Sequence, residues 1–212
     1  MADATTFNLQ DNQKAERKLL VTAVNVGDSI TMGSGTPEWQ IVGLGVEDSA
    51  IEFNPDTETV TDILGITETT VNKFETAQTL EPMTVRGGSK LAIKLYNQVK
   101  YNRMSEFAMY EVMQIHAYVG ASGAYEAEVH KNCTLTPQSI GGSSYVDMPI
   151  DINYSNDKVH GTVDKFKYGE TITFTPASEL NKGGIKRGYF TNSHRADKTY
   201  DFRRCRRRER GF

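Results

Sequence analysis

The stretch Tyr125-Glu126-Ala127-Glu128-Val129-His130-Lys131-Asn132-Cys133-Thr134-Leu135-Thr136 decides the fold class. Tyr125, Ala127, Val129, Cys133 and Leu135 take one side of an extended chain; Glu126, Glu128, His130, Asn132, Thr134 and Thr136 take the other. Successive strand side chains point to opposite faces, so this order predicts one buried and one wetted face, as in an antiparallel sheet.

The same period of two extends outward from that stretch. Between Tyr145 and Tyr154, Val146, Met148, Ile150, Ile152 and Tyr154 oppose Asp147, Asp151 and Asn153. Shorter runs cover Lys18 to Val26, Trp39 to Val46, Ser49 to Phe53, Val71 to Leu80, Val159 to Phe166 and Thr171 to Thr175. Between Ser105 and Val119 both parities are large: Phe107, Met109, Met113, Ile115 and Val119 against Tyr110, Val112, His116 and Tyr118. That pattern predicts a long strand covered on both sides.

One helix breaks the series. Ser89, after Gly87-Gly88, is placed to cap it, and Leu91, Leu95 and Val99, with Ala92 and Tyr96 beside them, make a stripe for a sheet to cover. Asn54 to Thr70, rich in Asp, Glu and Thr around Ile63 and Leu64, has no clear period and reads as a long loop, either functional or a mobile surface loop. The reading is thus mainly β: antiparallel sheets with one face solvated, one α-helix lying on a sheet, and a long extended loop.

Composition limits the function. At 212 residues the chain has enough length for one domain with a real core, and 38% hydrophobic residues suit a protein with long exposed loops. The polar N-terminus lacks the pattern of a signal peptide, and no apolar run approaches the roughly 20 residues of a spanning helix, so synthesis in the cytosol is expected. Residues 195–212 hold 8 Lys/Arg and 3 acidic residues, which leaves 16 Lys/Arg against 24 Asp/Glu in residues 1–194. The body is acidic and the end is basic. Cys133 and Cys205 are far apart and read as plain thiols, and the four histidines, His116, His130, His160 and His194, include no close pair of metal-ligand spacing. No cofactor or metal site is expected.

One block invites a catalytic reading. Gly27-Asp28-Ser29-Ile30-Thr31-Met32-Gly33 follows an apolar run and resembles the nucleophile block of SGNH (GDSL-type) esterases, and Asp157-Lys158-Val159-His160 has the spacing of that family's acid and base. The alternative reading is therefore an esterase using Ser29, Asp157 and His160. Against it, Ser34-Gly35-Thr36-Pro37 forces a turn where those enzymes open a helix. Tyr154-Ser155-Asn156-Asp157 also has tyrosine where their oxyanion block has glycine, and would use Asp157 twice. A loop rich in Gly, Asp and Ser accounts for the block without chemistry.

Several longer blocks carry a different resemblance. Trp39 to Gly45, Val46-Glu47-Asp48-Ser49, Glu52 to Gly65, Val85 to Leu91, Tyr125-Glu126-Ala127-Glu128 and Pro137 to Asp151 closely resemble the major tail (tail tube) proteins of long-tailed phages of Gram-positive hosts. The likeness runs from about Arg17 to Ala177, which makes residues 17–177 the expected β domain, with a flexible arm at 1–16 and a flexible basic extension at 178–212. It implies a subunit that is an antiparallel β-sandwich or barrel flanked by one α-helix, not an enzyme, and that closes into hexameric rings and stacks into a hollow tube passing phage DNA. It also implies partners among other tail proteins (tape measure, tail terminator, baseplate or tip) and residence in the virion. In that setting Asp56, Val60, Asp62, Ile63 and Leu64 are candidates for contact between rings. Glu126, Glu128, His130 and Asn132 are candidates for the lumen wall, with an outward solvent face as the alternative. An acidic wall suits a conduit because it offers phosphates no counter-charge. The arginines from Arg203 to Arg210 are expected outside the lumen or against acidic groups of a neighbour.

Overall fold

The computed structural model describes residues 7–27, 37–46, 48–121 and 123–177. Ser29, His194, Cys205 and the basic extension, 178–212, lie outside the described residues. Within them the strands are β1 (Leu20–Asn25), β2 (Trp39–Ile41), β3 (Ile51–Glu52), β4 (Pro55–Thr61), β5 (Thr67–Phe74), β6 (Ala77–Leu80), β7 (Tyr110–Ala121), β8 (Ala124–Pro137), β9 (Ile150–Asn153), β10 (Lys158–Val163) and β11 (Phe174–Pro176). One α-helix, α1 (Lys90–Lys100), joins β6 to β7, followed by a short 3-10 turn at Met104–Ala108. Every strand pairing is antiparallel. The fold is a β-sandwich flanked by one helix, built from the antiparallel strands that the alternation predicts.

Strand β8 organises the sandwich. Along one edge it pairs with β7. Along the other, its first half pairs with β10 and its second half with β9. One sheet thus runs β2-β1-β7-β8-β10-β11, the other β8-β9-β6-β3, with β8 in both.

The change of sheet is made by a bulge. From Tyr110 to Val112 strand β7 advances two residues, while its partners on β8 run from Cys133 to His130, three residues. Asn132 takes the extra place with φ of 56°, a left-handed conformation that Asn tolerates better than most side chains. The extra residue reverses the parity, so Tyr125 to Leu135 do not share one face as strict alternation predicts. Ala127 and Val129 join a core with Ala23, Trp39, Met113, Ile115, Val163 and Ile172, on one side of the first sheet. Cys133 and Leu135 join the larger core, with Val24, Val112, Leu91, Leu95, Ile150 and Ile152. Strand β7 contributes to both, which is why both of its parities are large.

Other expectations shift for local reasons. Val71 to Leu80 divides into β5 and β6, which belong to different sheets. The strand expected from Ser105 begins at Tyr110, after the 3-10 turn. Ser89 caps α1, its Oγ accepting from Ala92 N at 3.3 Å. The helix buries Leu91, Ala92, Leu95 and Gln98, whereas Tyr96 and Val99 are exposed. Gln98 is buried because its amide is satisfied: Tyr110 Oη donates to Oε1 at 2.7 Å, and Nε2 donates to Glu106 at 3.2 Å. In the arm, Phe7 bridges Val119, and Asn8 N and Nδ2 donate to the carbonyls of Tyr118 and Ala117 at 3.0 and 3.2 Å.

Candidate functional site

The stretch without periodicity, Asn54 to Thr70, forms most of a β-hairpin, β4 and β5, in a sheet of its own. No other described strand or helix covers it, and every residue from Pro55 to Phe74 is exposed. Isolated hairpins are marginal, so its internal bonds matter. Asp62 Oδ1 accepts from both Leu64 N and Ile66 N at 2.8 Å, Gly65 N donates to the Asp62 carbonyl at 3.0 Å, and Gly65 has φ of 79°. This turn holds Ile63 and Leu64 at its apex. Behind it Thr59 faces Thr69 and Thr61 faces Thr67, hydroxyl to hydroxyl at 3.1 Å. At the base Phe53 and Phe74 pack edge to face with centroids 6.2 Å apart.

The hairpin has two distinct faces and a distinct tip. Thr57, Thr59, Thr61, Thr67, Thr69 and Val71 make a β-branched face, while Asp56, Glu58 and Glu68 are set on the other with Val60, Thr70 and Lys73. Val60 stands opposite Glu68, and Asp56 opposite Lys73. The tip, Ile63, Leu64 and Ile66, is apolar and exposed. The five candidate contact residues are therefore brought together on one projecting element. Ile66 and the threonine pairs escape a reading based on periodicity, although Asp62 and Gly65, three apart, are a visible turn signal.

The candidate wall residues fall apart at the bulge. Glu126 and Glu128 are half-buried, His130 is buried, and Asn132 is exposed at the bend. Glu128 lies opposite Gln114 of β7 and His160 of β10, Glu126 opposite His116 and Thr162, and His130 opposite Val112 and Lys158. Lys158 Nζ is 2.8 Å and His130 Nε2 is 3.6 Å from Glu128 Oε2, and His160 Nδ1 is 3.3 Å from Oε1. His130, foremost, then Lys158 and His160 hold the Glu128 carboxyl at about 2, outweighing the opposing effect of burial. His130 Nδ1 donates to the Ser155 carbonyl at 2.8 Å, which fixes the ring. Burial lowers His116 below the usual histidine range, with Tyr118 Oη 3.0 Å from its Nδ1. Lys158 and His160, both on β10, are the members of this cluster that alternation on β8 alone does not find.

The catalytic alternative is not assembled in the described residues. The carboxylate facing His160 is Glu128, and no ion pair joins His160 to Asp157. Asp157 is exposed, its N donates to Ser155 Oγ at 3.0 Å, and its carbonyl accepts from Lys131 N at 2.9 Å. Ser29 lies outside the described residues. Among the described residues no three His, Cys, Asp or Glu side chains are placed to hold a metal ion. No described helix is long and apolar enough to cross a membrane. Burial pushes the Cys133 thiol up to about 11, consistent with a packing role.

No protein-family model matches the chain, and no curated protein matches it. Solved structures do. A chain of the PVC sheath-tube complex of an extracellular contractile injection system, in its extended state, is 13% identical with a TM-score of 0.38, over 72% of this chain and 94% of that one. The sheath/tube terminator of such a system is 11% identical with a TM-score of 0.44, over 71% and 99%. The anti-feeding prophage cap that terminates the tube is 14% identical with a TM-score of 0.39, over 82% and 98%. At such identities and scores the likeness decides nothing about what this chain does.

Proposed function

We propose that the chain is a virion structural protein, the major tail tube subunit of a long-tailed phage, which polymerises as stacked hexameric rings around a DNA-conducting channel. The projecting β4–β5 hairpin carries this reading: among the described residues nothing covers Ile63, Leu64 and Ile66. An apolar tip held by a specific turn is the kind of surface that a partner covers. On this reading Asp56, Val60, Asp62, Ile63 and Leu64 make the contact between rings. The half-buried Glu126 and Glu128 belong to the wall, where Glu128 pairs with the Lys158 ammonium at 2.8 Å and so leaves it less free to hold DNA phosphates. The resemblance of blocks from Arg17 to Ala177 supports the same role. It requires no cofactor, metal or catalytic residue. Its partners are further copies of the chain and, at the ends of the tube, the tape measure, terminator and baseplate or tip proteins.

Electron microscopy of the concentrated purified protein tests the proposal, and rings or tubes are the expected result. A chain that sediments as a monomer at every concentration, with and without a tail initiator complex, overturns it.

A further inference from the structure

Among the described residues the body does not cover the hairpin tip. Strands of seven and eight residues, at about 3.4 Å per residue, carry Ile63 and Leu64 about 20 Å beyond the base. The strands behind the tip carry Asp56, Glu58 and Glu68 against Lys73 as their one cation. A partner for this element needs an apolar recess with a basic border.

The body offers one. A groove of about 570 Å³ opens between β1, β2 and the segment after β10, floored by Val21, Ile41 and Leu44 and bordered by Arg17, Lys18 and Lys167. No acidic side chain is among the described residues that line it. Its volume lies within the ~300–1,000 Å³ of sites that enclose a small ligand, enough for a turn bearing two aliphatic side chains. The guanidinium of Arg17 is fixed at the mouth, donating to the Ser49 carbonyl from Nε and Nη2 at 3.2 and 2.8 Å and to the Leu20 carbonyl from Nη1. Lys18 pairs with the neighbouring Glu16 at 2.5 Å, and both side chains stay exposed.

We infer that this groove receives the hairpin tip of a second copy of the chain, with Ile63 and Leu64 on the apolar floor and the acidic strands against Arg17, Lys18 and Lys167. The inference rests on the reading of the chain as a self-assembling subunit and adds the receiving site. Groove and hairpin are different patches of one molecule, so the contact is heterologous: it adds copies head to tail instead of closing a two-fold dimer. The basic end of the chain is the wrong sign for this border, which favours the acidic hairpin as occupant.

Site-directed cross-linking of the full chain tests it. In a Cys205→Ser background, a Leu64→Cys chain is mixed with a Leu44→Cys chain, assembled, collected by sedimentation and oxidised; a Leu64→Cys chain mixed with an Ile93→Cys chain, altered on the outer side of α1, is the control. A two-chain product with Leu44→Cys and none with Ile93→Cys is expected. In parallel, Lys18→Glu with Lys167→Glu should raise the critical concentration for assembly about tenfold, and adding Glu58→Lys with Glu68→Lys in the same chain should restore it. Assembled material without the Leu44 link, or charge reversals that do not compensate, overturns the groove while leaving the subunit reading intact. In a chain that keeps Cys205, a link from Leu44→Cys to Cys205 of the same chain would place the basic end in the groove and also overturn it. A chain that never sediments as more than a monomer ends both.

Discussion

Replacing Ile63 and Leu64 together by serine separates what the hairpin tip does for the folded chain from what it does for assembly. Ile63 is 102% and Leu64 78% exposed, so the folded chain loses no buried contact. The turn survives as well, because Asp62 Oδ1 accepts from the backbone of Leu64 and Ile66, and Gly65 supplies the left-handed residue. An exposed substitution of this kind changes stability by no more than about 0.5 kcal/mol, or under about 2 °C in Tm for a chain of this size. In an assembly the two side chains are worth about 1.5–3 kcal/mol each when fully covered. With half that burial the pair contributes about 1.5–3 kcal/mol, roughly a 10- to 150-fold rise in critical concentration when they are removed. Thermal melting and sedimentation of a dilution series measure the two quantities on the same preparations. A Tm lowered by more than about 5 °C means that the tip packs on its own body. An unchanged critical concentration means that it meets no neighbour. Either result refutes the reasoning.

Three further outcomes follow from the body of the fold. The Glu128 carboxyl titrates at about 2 in the folded chain against 4.5 for a free side chain, so its stabilisation is complete above pH 4.5 and is lost as pH falls toward 2. Allowing for solvent screening near the exposed Lys158, Glu128→Gln should remove about 1–2 kcal/mol at neutral pH and flatten that part of the acid unfolding curve, followed by circular dichroism. At the bulge, where Asn132 has φ of 56°, Asn132→Gly should be nearly neutral and Asn132→Val should cost about 1–2 kcal/mol in urea denaturation, because a β-branched side chain is strained there. At Gly161 an added Cβ would lie 2.3 Å from the Thr175 carbonyl oxygen and 2.6 Å from the Phe174 ring, so Gly161→Ala should push β11 away and cost about 1–3 kcal/mol by chemical denaturation.

The hairpin shows how far local chemistry reaches. Its turn can be read from Asp62 and Gly65, and its partner-seeking character from Ile63 and Leu64 amid acidic residues and threonines. Its period is hidden because neither face is buried by the chain itself, and alternation is a record of one-sided burial. The Glu128 cluster is the converse case. Glu126, Glu128 and His130 are visible as polar positions on one strand, but Lys158 and His160 reach them only because β10 pairs beside β8 in a particular register.

By itself the sequence determined the antiparallel strands, the Ser89 cap, the double coverage of β7 and the apolar tip, since each follows from spacing along a few neighbouring residues. Only the tertiary structure decided which core each residue of β8 meets and why Gln98 is buried. A bulge at Asn132 reverses the side-chain parity without disturbing the composition around it, and a buried amide is tolerated when distant groups satisfy it. Both depend on atoms far apart in the chain.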